Sequence, residues 1–295
     1  MRNQALGLAE RLNGTVTEQT VTVNPPLSWL PVGWRPANPD KLGPAPALAI
    51  GCGRAAIPYL LSMKRRGWPT KTCYVQDPRI DPTNFDLVVA PSHDRLTGPN
   101  VVSTLGSMHR IHADKLTTET RPFADQLARY KNPLAVLIGG RSAAFDFTPD
   151  TANHLCDQLL AIGNHSLLVT ASRRTGKEAA DILKKRLGTH SHIWLYDGEG
   201  PNPYFAFLAA AQAVLVTQDS VNMATEAVAT GKPVFVLPQP VRSARKAAKF
   251  ERFHGELYRL ERAAPFTGAL NGAPLAPFDN AAAAVARLND FLTHA

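Results

Sequence analysis

The sequence predicts an α/β protein of two Rossmann-like domains, each a parallel sheet wrapped by helices. Three observations carry this expectation. The chain has 295 residues, of which 44% are hydrophobic, enough for two cores and long for one. Its C-terminal half alternates short β-branched runs with longer helical patterns, as βαβ units do. Those runs are apolar throughout instead of alternating, which suits strands covered by helices on both faces.

In the C-terminal half, strands are expected at 134–138, 166–170, 192–196, 213–217 and 233–237, with helices near 149–163, 176–187, 204–211 and 219–230. The N-terminal half repeats the theme: helix 3–12, strand 15–23, strand 47–51, helix 54–66, and strands 71–76, 86–90 and 100–103. A Pro-rich stretch over 24–46 reads as a long surface excursion. The polar helical pattern over 113–131 reads as a connector. Domains are therefore placed at 1–120 and 121–275, and 276–295 carries a last helix, 280–293, that packs back on the first domain. Residues 243–262 read as a basic helix, and 264–279, rich in Pro, Gly and Ala, as a linker. A helix from residue 3 opens the chain, whereas a doubly wound domain opens with a strand; the first strand is read as missing.

Composition narrows the function classes. Charged residues are 19% of the chain, so disorder is not expected. The net charge of +8 favours anionic partners, namely nucleic acid, acidic membrane or phosphorylated small molecules, and no nucleic-acid motif accompanies it. Cys52, Cys73 and Cys156 form no CxxC pair, which argues against a zinc site or disulfide framework. Glu10 interrupts what would be the apolar core of a signal peptide. The longest apolar stretch, 204–217, falls short of the roughly 20 residues that span a bilayer. A cytoplasmic protein follows, with any membrane contact peripheral to the inner face.

The most informative segment is 217–236. It offers Asp219 or Ser220 as a helix N-cap and stops at Gly231 with Pro233 close behind. The helix start sits at the C-terminal end of a strand, where N–H groups and the helix dipole favour a phosphate. Asn222 and Glu226 share a face, with Met223 between them. Glu226 lies about 9 Å along the axis from Ser220 at roughly 1.5 Å per residue, which suits a ribose diol. Equally open is plain capping, with Glu226 a solvated surface group. Gly139 and Gly140 end a strand and either let a ligand approach or form an ordinary turn. Ser172, Arg173 and Arg174 end another strand and match a diphosphate's oxygens, or are solvated. Their convergence at one sheet's carboxyl ends weighs more than any one of them.

In the N-terminal half, His93 and Asp94 follow a strand and are candidates for a general base, against the default of a loop histidine. His109 and His112 lie nearby without ligand-spaced partners, and no metal site is expected. An acidic D-x-D pair is absent, which favours neutralisation of a diphosphate by arginine and a helix dipole. The basic run 242–262 carries Phe250, Phe253, Leu257 and Leu260 at helical spacing. It is either a helix with a solvated basic face or a surface for an anionic membrane.

Asn3 through Glu10, Gln76 through Arg79, Phe85 through Asp94, Asn100 through Val102, Gly106 through Ile111, Ile138 through Gly140, Thr170 through Arg174, Asn202 through Tyr204 and Asp219 through Val234 together resemble the elongated-mitochondria, or mitochondrial fission, family, nearly end to end. The resemblance implies the glycosyltransferase-B (GT-B) fold, in which the C-terminal domain grips a nucleotide diphospho-sugar and the N-terminal domain presents the acceptor across a cleft. It implies a Ser-x-x-x-x-x-Glu helix, here Ser220 to Glu226, that binds phosphate and ribose as in lipid-linked peptidoglycan glucosaminyltransferases. It also places Asn3, Gln4, Asp77 and Arg79 on the acceptor side. Relatives carry a strand and a Gly-containing loop before the Asn3 helix. The expected activity is transfer of a sugar from a nucleotide diphosphate donor to an unidentified acceptor, lipid-linked or of the cell envelope, with no cofactor or metal. Alternatives are a nucleotide-sugar epimerase and a non-catalytic binding or scaffold protein.

Overall fold

A computed structural model describes residues 1–23, 25 and 27–293, without the side chain of residue 28. It divides into two compact units, Met1–Arg110 with Asp279–Ala295, and Ile111–Phe278.

Unit 1 holds a four-stranded parallel sheet, β1 (Leu48–Cys52), β2 (Lys71–Val75), β3 (Leu87–Pro91) and β4 (Val101–Thr104), in that order. Successive residues of a strand face opposite ways. Cys73 and Val75 accordingly join Leu8 of α1 (Arg2–Ala9) and Ala284 and Leu288 of α10 (Ala282–Thr293) on one face. Tyr74 packs with Ile57, Leu60 and Leu61 of α2 (Ile57–Arg65) on the other. Helix α1 approaches so closely that a Cβ on Gly7 would lie 2.2 Å from the His109 carbonyl oxygen.

Unit 2 is a six-stranded parallel sheet in the order β10-β9-β8-β5-β6-β7. Its strands are β5 (Leu134–Ile138), β6 (Leu167–Ala171), β7 (Ile193–Tyr196), β8 (Ala213–Thr217), β9 (Val234–Leu237) and β10 (Ala264–Pro265). Its helices are α3 (Ala113–Thr120), α4 (Ala124–Leu127), α5 (Pro149–Leu160), α6 (Lys177–Leu187), α7 (Tyr204–Ala210), α8 (Val221–Ala229) and α9 (Ala244–Arg259). β5 and β8 are buried at every position, as their unbroken apolar runs require.

Three expectations are corrected. Residues 15–23 form no strand; 15–20 are all exposed, and with no ladder partner their Thr/Val alternation has nothing to pair with. The segment 264–279 is no free linker. It adds β10 to the sheet edge, and Leu275 N donates to Gly231 O at 2.7 Å while Arg262 Nη1 donates to Ala276 O at 2.7 Å. The connector 113–131 is not a bridge between units, because α3 packs on α7 within unit 2. The chain passes from one unit to the other at Arg110–Ile111, where the sequence had put it at 120.

Candidate functional site

β5 enters the middle of the unit 2 sheet, β6 and β7 add on one side, and β8, β9 and β10 add on the other. Strand order therefore reverses between β5 and β8, and ligands of open α/β sheets bind outside the carboxyl ends of the strands at such a point. The loops there are 139–140, 172–174 and 218–220, the three segments singled out from sequence.

Asp219 ties these loops together. Its carboxylate accepts from Thr217 Oγ1 at 2.7 Å and Gly140 N at 3.0 Å, and pairs with Arg174 Nη1 at 2.6 Å. Its side chain is fully buried, and a buried charge persists only when paired and hydrogen-bonded in this manner. Thr217 Oγ1 in turn accepts from Gly139 N at 2.7 Å. A Cβ on Gly139 would fall 2.1 Å from Asp219 Oδ1, and one on Gly140 2.1 Å from the Arg174 backbone. The glycines thus serve loop-on-loop packing. Gly139 O accepts from Ser172 Oγ at 2.9 Å and from the Thr175 hydroxyl. Of the nominated cations, Arg174 is spent on Asp219. Arg173 is exposed and makes no hydrogen bond or ion pair among the described residues.

Helix α8 starts as its sequence demands. Ser220 is the N-cap and its Oγ accepts from Met223 N at 3.3 Å. Capping consumes an acceptor lone pair and leaves the hydroxyl proton to donate elsewhere, so capping and ligand binding are compatible. Asp219 N donates to Gln239 Oε1 at 2.9 Å, bringing the end of β9 to the same place. Gln239 Nε2 is buried without a partner among the described residues. His254 of α9 lies 2.9 Å through Nε2 from Gln218 O, and burial lowers its pKa, keeping it neutral. Asn222 is exposed and Met223 half-buried.

Glu226, two turns along α8, accepts from Tyr204 Oη at 2.5 Å. Burial pushes its pKa up to about 7, although the Tyr204 hydrogen bond pulls the other way. Burial, and then the Glu226 charge, hold the Tyr204 hydroxyl well above its ordinary value, so it remains a donor. Glu226 is half-buried and held by the Tyr204 hydroxyl.

In unit 1, His93 and Asp94 follow β3. His93 is buried, and its Nε2 stands 3.9 Å from Asp94 Oδ1, beyond hydrogen-bond length. Asp77 Oδ1 accepts from Arg79 N at 2.8 Å across a turn in which Arg79 has φ +55°. Gln4 is buried and its Oε1 accepts from Gln76 Nε2 at 2.9 Å, while Asn3 is exposed. His112 serves α3, its Nδ1 accepting from Lys115 N at 3.3 Å. Among the described residues no group of three or more His, Cys, Asp or Glu is disposed to hold a metal ion.

Helix α9 carries most of the basic run 242–262. Phe253 and Leu257 are buried, and Phe250 meets Phe145 edge-on at 5.3 Å. Phe253 and Leu257 of the apolar stripe belong to the core, whereas Leu260 is exposed beside the basic residues. Among the described residues no helix is long and apolar enough to cross a membrane.

Thr217, Thr175, Tyr204, Gln239 and His254 escaped the sequence reading. Tyr204 had a signal in the Asn202-Pro203-Tyr204 string, and Thr175 and Thr217 lie within or at the start of strand-end segments that were singled out, without a role of their own. Their roles rest on long-range contacts: Thr217 with Gly139, Thr175 with Gly139, Gln239 with Asp219 and His254 with Gln218.

Paired parallel-sheet units, one with its strand order reversing at a glycine-lined loop, define a GT-B-type α/β protein. Solved structures agree on the fold. UDP-GlcNAc 2-epimerase from Methanocaldococcus jannaschii aligns with a TM-score of 0.55 at 12% identity, over 85% of this chain and 77% of that one. The Neisseria meningitidis UDP-GlcNAc 2-epimerase bound to UDP-GlcNAc aligns with a TM-score of 0.50 at 13% identity, over 83% and 76%. The chain belongs to the Mitochondrial fission ELM1 family, whose profile matches residues 1–291. It is similar to Mitochondrial fission protein ELM1 of Arabidopsis thaliana, 31% identical over 65% of this chain, and spans about half (51%) of that protein's length. It is also similar to the uncharacterized protein RP120 of Rickettsia prowazekii, 25% identical over 81% of this chain and 80% of that protein.

Proposed function

We propose that unit 2 binds a nucleotide diphospho-sugar at the carboxyl ends of β5, β6 and β8, and that the protein transfers the sugar to an acceptor hydroxyl. The observation that carries this reading is the strand-order reversal between β5 and β8, with the capped start of α8 and, at the end of β6, an exposed Arg173 that makes no hydrogen bond or ion pair among the described residues. In this reading the diphosphate lies against the α8 N-terminus, where the dipole and N–H groups favour negative charge. Arg173 and the Ser220 hydroxyl add charge and a donor, and Gln239 Nε2 offers a further one. Glu226, oriented by Tyr204, accepts the ribose hydroxyls. As the bond to the sugar breaks, these groups stabilise the negative charge that develops on the departing diphosphate. His93 or Asp94 takes the proton from the acceptor.

Calorimetric titration with UDP, ADP and GDP tests the donor half. One of the three should bind, and Arg173→Ala or Glu226→Ala should each weaken it about 10- to 100-fold, the worth of a charge-assisted hydrogen bond. Unchanged affinity in both variants would refute the assigned site. The fold likeness to UDP-GlcNAc 2-epimerases motivates one competing reading, epimerisation on the same scaffold. Incubation with a nucleotide sugar alone separates them, since only an epimerase then yields an isomeric sugar. Nucleotide binding without turnover under either condition would favour a binding or scaffold role.

A further inference from the structure

Unit 1 carries a surface that the donor site does not use. The Pro-rich excursion before β1 makes three short helical turns, Leu27–Trp29, Val32–Trp34 and Pro39–Leu42. It is well anchored: Val32 is buried against Ile57, Leu60 and Leu61, Ser62 Oγ donates to Ala37 O at 2.9 Å, and Arg35 Nε donates to Leu30 O at 3.0 Å. Yet the large residues flanking the anchor point outward. Trp29 is 84% exposed and Trp34 79%, with Leu27 and Leu30 more than a third exposed. A segment that buries its valine and leaves two indoles in water is not merely filling a core.

Charge says what these indoles face. Trp34 lines a groove of about 510 Å³ with Gly33, Leu61, Ile80, Lys64 and Arg65. The last turn of α2 continues with Arg66, and Lys64, Arg65 and Arg66 are all exposed; Lys64 pairs with Asp86 at 3.6 Å and Arg66 with Asp40, while Arg65 has no carboxylate partner among the described residues, so the patch keeps a net positive charge. Indoles beside lysine and arginine form the pairing that settles at a lipid headgroup boundary, the rings in the interface and the cations over acidic headgroups. Helix α9 lacks this pairing, because its aromatic residues are turned inward.

We propose that the 27–34 excursion and the end of α2 form a peripheral docking surface for an anionic lipid bilayer, with Trp29 and Trp34 inserting at the headgroup level. The test is co-sedimentation of the full chain with vesicles of phosphatidylcholine alone or with one third phosphatidylglycerol. Quenching of tryptophan emission by brominated acyl chains is read in parallel. Binding is expected only to the anionic vesicles, with quenching. Trp29→Ser/Trp34→Ser should lower partition at least about tenfold while nucleotide affinity, read from the other unit, is unchanged. Arg245→Ser/Lys246→Ser/Lys249→Ser on α9 should retain the quenching. Wild-type protein that ignores anionic vesicles, or a tryptophan variant that binds them as wild type does, overturns the proposal. So does a self-association, measured by light scattering, that the tryptophan substitutions abolish while vesicle binding stays the same, since the patch would then cover a second copy.

Discussion

At the residue scale, Glu226 gives the sharpest pH signature. Burial raises its folded pKa from 4.5 to about 7. Between those values the native state holds a proton that the unfolded chain has released, so stability falls as pH rises through that window and levels above it. Glu226→Gln keeps an oxygen for the Tyr204 hydroxyl and removes the titration. The variant should therefore be more stable than wild type at pH 8, by on the order of 2 kcal/mol, and equal to it at pH 4.5; a thermal melt at both values decides it. Ribose binding follows the opposite slope, because only the ionised carboxylate accepts from both hydroxyls. Asp219 shows where residue-level reading stops. Sequence offers it as a helix cap or phosphate neighbour. In the fold it is the buried partner of Gly140, Thr217 and Arg174, a role that depends on three strand ends meeting, which no local pattern encodes.

At the element scale, legibility tracks how local the cause is. Helix α8 was readable because its start, stop and buried stripe are written within a dozen residues: Ser220 caps it, Gly231 ends it, and Pro233 forbids continuation. Strand 15–23 was misread because alternation signals a strand only where a ladder partner exists, and partners are a tertiary fact. The basic helix α9 was read correctly as a helix, but the destination of its Phe253 and Leu257 stripe, core or membrane, lay in the packing. Gly231 joins both levels. It sits at φ +75°, and a Cβ there would come 2.4 Å from Leu275 O. Gly231→Ala should cost about 2 kcal/mol or more, roughly 1 for the left-handed backbone and the rest for displacing the 275–277 segment. Denaturant titration measures it, and a loss under about 0.5 kcal/mol would mean that segment yields freely.

At the scale of the whole molecule, chain order and spatial order diverge in a way that can be tested. Unit 1 is discontinuous: α10, from the far end of the chain, supplies Ala284 and Leu288 to the face that holds Leu8, Cys73 and Val75, and Asn280 Nδ2 donates to Ser107 O at 2.9 Å. Unit 2 is one unbroken segment, Ile111–Phe278, and every residue assigned to the donor site lies within it. The sequence announced two α/β halves; the return of the last helix was legible only as an expectation, because its apolar stripe does not name its partner. A chain ending at residue 278 should thus lose cooperative unfolding of unit 1 and expose its apolar sheet face, a deficit of several kcal/mol for a deleted buried helix. Unit 2 should unfold as before and bind the same nucleotide within about threefold of the full chain, under about 1 kcal/mol. Calorimetric melts with and without nucleotide read both units at once. If nucleotide no longer raises the remaining transition, groups outside 111–278 complete the donor site, and the assignment to the β5–β8 reversal alone is wrong.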